Sequence, residues 1–211
     1  MSISYETTGR TRQKARTRQA MVAAARDLLA AGEMPTVEQA ADAAGVSRAT
    51  AYRYFPNQRD MLVAAHPEIE ARSLLGTDPP DDVGARLDCA VDELTRMLIK
   101  NEPVLRTMLR LSLESEGSHR ERLLLRQGRA IGWLEDALQP LRGSIPRADV
   151  RRLVYAIRCV VGVEALVWLC DVAGLSRNDA VKLMRWSARG LLRGALADGK
   201  ASRGREKRHR R

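Results

Sequence analysis

The sequence predicts an all-α protein: a short N-terminal three-helix unit built around a helix-turn-helix, then a longer helical region. Three observations carry this. Apolar residues recur at three- and four-residue spacing along most of the chain, and no segment sustains a period of two with β-branched enrichment. Residues 36–55 read as helix, glycine turn and capped helix. Glycine and proline fall between the periodic segments, at Gly32, Pro35, Pro56, Pro67, Pro79, Pro80, Gly143, Pro146 and Gly174.

The first helix is expected from about Thr11 to Ala31, with Ala20, Ala24, Leu28 and Leu29 on one face, behind a start at residues 1–9 that reads as disordered. Arg10, Arg12, Lys14, Arg16 and Arg18 alternate into it as a basic arm. Thr36 caps the next helix, and Gln39 stands at the capping-box spacing. Val37, Ala40, Ala41 and Ala44 follow at helical spacing with side chains small enough to admit a neighbour closely. Gly45 ends this helix because a left-handed backbone costs glycine nothing. Val46 plugs the core, and Ser47 caps a second helix over Arg48–Tyr54. Pro56 breaks that helix, and Asn57 with Asp60 opens a short one to about Ala65.

This arrangement has a chemistry. The second helix of a helix-turn-helix enters the DNA major groove. Arg48 offers a bidentate fork to guanine, and Thr50 offers a hydroxyl or a methyl to a base edge. Tyr52 and Arg53 reach phosphate. Phe55, the one phenylalanine in the chain, reads as core.

The run SRATAYRYF, followed at once by PNQRDML, resembles the TetR (TetR/AcrR) family of bacterial repressors. The resemblance covers about the first third of the chain. It implies an N-terminal DNA-binding domain, a C-terminal domain for dimerisation and ligand binding, and release of DNA on ligand binding. It also implies that Arg59 binds the DNA backbone, and that the last two long helices build a four-helix dimer interface. The expected DNA-binding residues are Thr36, Ser47, Arg48, Ala49, Thr50, Tyr52, Arg53, Tyr54 and Arg59. The expected domains are 10–65 for DNA binding, 66–198 for regulation and dimerisation, and 199–211 as a basic tail.

Composition agrees. The 211 residues are 45% hydrophobic and 29% charged, with 36 basic against 26 acidic residues for a formal charge of +10. That balance favours a polyanion partner. A membrane partner is not expected, since no uninterrupted apolar run approaches the ~18 residues a span needs. The first residues hold no apolar stretch of a signal peptide. Cys89, Cys159 and Cys170 lack CxxC spacing and read as core residues of a cytoplasmic protein.

Beyond the first third, a short helix is expected over Pro67–Leu75. Amphipathic helices are then marked by Val83–Leu98, by Asn101–Leu109, by Leu123–Leu141 and, as one long helix, by Pro146–Ala173. Ser176 and Asp179 open the last, which runs to about Asp198. The Pro146–Ala173 segment is apolar on almost every side, so it requires neighbours on several sides, including those of a second subunit. Gly162, Gly190 and Gly194 give places for close backbone approach. Lys200–Arg211 holds seven basic residues and one acid and reads as a solvated run.

Catalytic chemistry is not indicated. His66, His119 and His209 are far apart, and no carboxylate pair, Gly-rich phosphate loop, GxSxG or HExxH is present. Glu114, Glu116, Glu121 and His119 read as a polar loop rather than a metal cluster. No enzyme activity, cofactor or metal is expected. The expected partners are double-stranded DNA, a second copy of the chain and a small-molecule effector. The alternative is a helical nucleic-acid-binding or interaction protein with no ligand. Candidates for an effector pocket are Met97, Leu105, Met108, Trp133, Cys159, Glu164 and Trp168, which combine bulk, softness and a few polar atoms.

Overall fold

A computed structural model describes residues 3–66, 71–114 and 128–209. Among them the helices are α1 (Ile3–Ala30), α2 (Val37–Ala43), α3 (Arg48–Tyr54), α4 (Gln58–Ala65), α5 (Val83–Lys100), α6 (Glu102–Glu114), α7 (Arg129–Ala137), α8 (Arg147–Val160), α9 (Val163–Val167) and α10 (Arg177–His209). No strand occurs among the described residues, and the fold is all-α as expected. The chain divides into two compact units. One comprises the described residues of Met1–Ala71 and Pro103–Gln127, the other those of Arg72–Glu102 and Gly128–Arg211.

The first unit packs α1 to α4 around a core of small and flexible side chains. Met21 and Ala25 of α1, Ala40 and Ala41 of α2, Ala51 of α3 and Met61 of α4 are fully enclosed. The alanines bring α2 and α3 close together, and Phe55 closes the end of the core under the guanidinium of Arg18, 5.2 Å from its ring centre. A second cluster joins Leu29 and Leu62 to Val104 and Met108 of α6. There Arg110 donates a hydrogen bond to the Gly32 carbonyl at 2.8 Å. Thus α6 packs with the N-terminal helices although it follows α4 by nearly forty residues. The helix α1 begins at Ile3, ahead of the expected start near Thr11.

The second unit is built on α5, α7, α8 and α10. Asp82 caps α5 by accepting from the Ala85 N–H at 2.8 Å. Arg86 donates to the carbonyls of Asp136 and Ala137 at the end of α7, at 3.0 and 3.1 Å, satisfying acceptors the helix leaves over. Two ion pairs tie α5 to α10: Asp88 with Arg189 at 2.6 Å and Asp92 with Arg185 at 2.8 Å.

Three expectations are corrected. No helix forms over Ala71–Leu75, where the Ser73 hydroxyl donates to the Asp136 carboxylate at 2.6 Å and accepts from the Leu75 N–H; residues 67–70 of that expected helix lie outside the described residues. The expected helix from Pro146 to Ala173 is not continuous. It breaks at Val161 and Gly162, resumes as α9, and ends in a π-helical turn over Trp168–Val172. At the break Arg158 donates to the Val161 carbonyl at 3.4 Å and to the Glu164 carboxylate at 3.1 Å. A Cβ on Gly162 would run into that guanidinium, so this glycine admits a side chain of its own chain. Third, the last helix runs on to His209, beyond its expected end near Asp198.

Residues Arg147–Val172 are, by length and mean hydropathy, long and apolar enough to cross a membrane. The break at Gly162 and the Arg158–Glu164 pair interrupt this segment. Leu153, Val154, Ile157, Val163 and Leu166 are buried in the unit.

Candidate nucleic-acid interface

The turn between α2 and α3 sets the geometry. Gly45 stands at φ +64°, the left-handed conformation that ends α2. The Val46 N–H bonds back to the Ala41 carbonyl at 2.8 Å and draws Val46 onto the core. At the start of α2 the Thr36 hydroxyl accepts from the Gln39 N–H at 3.2 Å, and the Gln39 side chain accepts from the Thr36 N–H at 2.8 Å. At the start of α3 the Ser47 hydroxyl accepts from the Thr50 N–H at 3.4 Å and donates to the Thr50 hydroxyl at 3.0 Å. Asn57 caps α4 by accepting from the Asp60 N–H at 2.8 Å. Each cap satisfies a backbone donor that the helix start leaves over.

With Ala51 buried inward, α3 turns Ser47, Arg48, Ala49 and Arg53 to solvent, and Thr50 is half-buried. Arg59, in the first turn of α4, is exposed too. Tyr54 leans on the core instead, half-buried against it. Thr36 is exposed, its hydroxyl engaged in the cap. The result is a convex, cation-bearing helix with short side chains between its arginines, a shape that a major groove admits.

Tyr52 has a partner that residue-by-residue reading missed. It is 43% exposed, and its hydroxyl donates to the carboxylate of Glu38 on α2. This hydrogen bond, helped by one from the Glu38 backbone N–H, holds the Glu38 carboxyl below its ordinary value. It likewise raises the Tyr52 phenol above its ordinary value. A polar pair fourteen residues apart, one on each helix of the motif, is the signal that would have found it.

The candidate pocket residues fall in both compact units. Met108 is enclosed in the first unit with Leu29, Leu62 and Val104, and Leu105 is half-buried there. Met97 and Trp133 belong to the second unit, half-buried and buried. Cys159, Glu164 and Trp168 do meet, on a groove of about 410 Å³ that Leu169, Leu183, Met184 and Ser187 also line. Glu116, Glu121 and His119 lie outside the described residues; among the described ones no three His, Cys, Asp or Glu are grouped to hold a metal.

This architecture defines a helix-turn-helix protein: a DNA-binding transcriptional regulator. Residues 21–65, the core of the first unit, match the model of the bacterial regulatory proteins of the tetR family, so over that segment the chain carries a DNA-binding domain of the TetR type. The solved structure of a SmeT–triclosan complex is similar in fold, with a TM-score of 0.51 and 22% identity, covering 89% of this chain and 91% of that one. No curated protein matches the chain.

Proposed function

We propose that the protein is a ligand-responsive repressor that binds a near-palindromic operator as a homodimer in the cytoplasm. The observation that carries this reading is the capped α2–α3 motif presenting Arg48, Ala49, Thr50 and Arg53 on one solvent-facing helix. Arg48 and Thr50 read bases, and Arg53, Arg59 and the Thr36 end of α2 meet phosphates. Residues 10–65 act as the DNA-binding domain and 66–198 as the regulatory and dimerisation domain.

Dimerisation is supported by the exposed large side chains of the second unit. Trp168 is 59%, Trp186 65% and Val172 70% exposed, with Leu183 beside them. Apolar surface gathered in this way marks a contact surface. A second copy brings a second recognition helix, and two half-sites about one helical turn apart or somewhat more then suit both. A small-molecule effector is supported by the groove at Cys159, Glu164 and Trp168 and, by analogy of fold, by the triclosan held in the SmeT complex.

The test is a footprint on the DNA flanking the protein's own reading frame. A protected, two-fold-related segment lost in Arg48→Ala supports the reading. Protection without sequence preference, unchanged in Arg48→Ala, refutes it.

A further inference from the structure

The helix-turn-helix carries an anion on the side where a polyanion is expected. Glu38 stands in the first turn of α2, and its carboxylate accepts a hydrogen bond from the hydroxyl of Tyr52 on α3. A phenol has one proton to donate, so while Glu38 holds it Tyr52 cannot donate to a phosphate. The contact is not needed to hold the two helices together. Ala40, Ala41 and Ala51 are fully enclosed between them, and Val37 nearly so. The Gly45 turn and the caps fix the rest. A solvent-facing hydrogen bond adds little to such packing.

Resting on the reading of this surface as DNA-binding, the geometry points to Glu38 as a gate on that surface. In the free protein it keeps the Tyr52 hydroxyl, and a duplex binds by exchange: the phenol keeps its proton and turns its O–H from the carboxylate oxygen to a phosphate oxygen. Glu38 thereby lowers affinity for every duplex alike and leaves base preference, set by Arg48 and Thr50, unchanged. The gate limits residence on nonspecific DNA, which a chain of formal charge +10 otherwise favours.

Two measurements on the full-length protein test this. In the absence of DNA, the Tyr52 phenol is titrated by NMR with ¹³C-labelled tyrosine. It should titrate above its ordinary value in the native chain and move down toward that value in Glu38→Gln. An unchanged titration overturns the gate and says nothing against DNA binding. Affinity for a random-sequence duplex is then measured by fluorescence anisotropy. Glu38→Ala should bind about three- to tenfold tighter, the equivalent of one modest hydrogen bond. In the Tyr52→Phe background most of that gain should vanish. An equal gain in both backgrounds would show only a removed charge and would overturn the exchange, as would weaker binding by Glu38→Ala. A native chain that binds no duplex overturns the DNA reading and the exchange together. Circular dichroism of each variant confirms that the helices remain.

Discussion

Arg177 grips Glu102 with two N–H groups, Nε to one carboxylate oxygen at 2.6 Å and a terminal nitrogen to the other at 3.0 Å. The two residues stand at the first positions of α10 and α6, and the glutamate is buried while the arginine is largely exposed. Bidentate geometry of this kind is among the stronger charge pairs. Arg177→Ala leaves a carboxylate enclosed and short of its partner. It should destabilise the protein by about 1–3 kcal/mol, less than for a fully buried pair because solvent screens the arginine. Glu102→Gln, which keeps one acceptor, should cost less. Urea denaturation monitored by circular dichroism gives both values.

Base reading is tested at Arg48 and Thr50. Each replacement by alanine should weaken operator binding by about 1–3 kcal/mol and leave binding to scrambled duplex nearly unchanged. Arg59→Ala should weaken both alike, since a backbone contact carries no sequence information. Competition titrations at fixed salt separate the two patterns.

Assembly is tested at two positions on different faces. Trp168 is exposed in the single chain, whereas Leu192 is 5% exposed and belongs to the unit's own interior. Trp168→Glu should therefore convert a dimer to a folded monomer, read by sedimentation velocity. Leu192→Asp should unfold the unit itself, read as lost ellipticity.

Met108 gives a packing prediction. Its side chain is enclosed with Leu29, Leu62 and Val104, so Met108→Trp overfills a core rather than a pocket. A cost of about 1–3 kcal/mol is expected, with lower thermal stability of the N-terminal unit.

The basic end of α10 is tested by truncation. Removing Arg203–Arg211 deletes six basic residues. Nonspecific affinity should fall and the salt dependence flatten, with operator preference kept. An identical salt slope would mean the segment touches no phosphate.

What the sequence made legible was local. The caps at Thr36, Ser47, Asn57 and Ser176 form as the spacing of their polar residues indicates, because each needs only a neighbour three residues on. Gly45 follows from backbone sterics alone. The break at Gly162 was not legible, since apolar residues run through it without a change of pattern and the Arg158–Glu164 pair that occupies it spans six residues. The placement of α6 was hidden too: nothing near Met108 announces Leu29 or Leu62, which lie 79 and 46 positions earlier. The Tyr52–Glu38 pair fell between these cases, local in space and remote in sequence.

The unbroken length of α10 has a mechanical consequence. At a rise of about 1.5 Å per residue its 33 residues form a rod roughly 50 Å long. Its first part is held, at Arg177 by Glu102 and at Arg185 and Arg189 by Asp92 and Asp88, and the positions beyond Lys200 ride on the arm that continues past these contacts. From Arg189 to the end of the helix that arm is about 30 Å, so a tilt of about 5° at the Arg189–Asp88 pair sweeps its tip through roughly 3 Å. Side-chain rearrangements too small to matter where they occur are thus magnified into a displacement the width of a phosphate group.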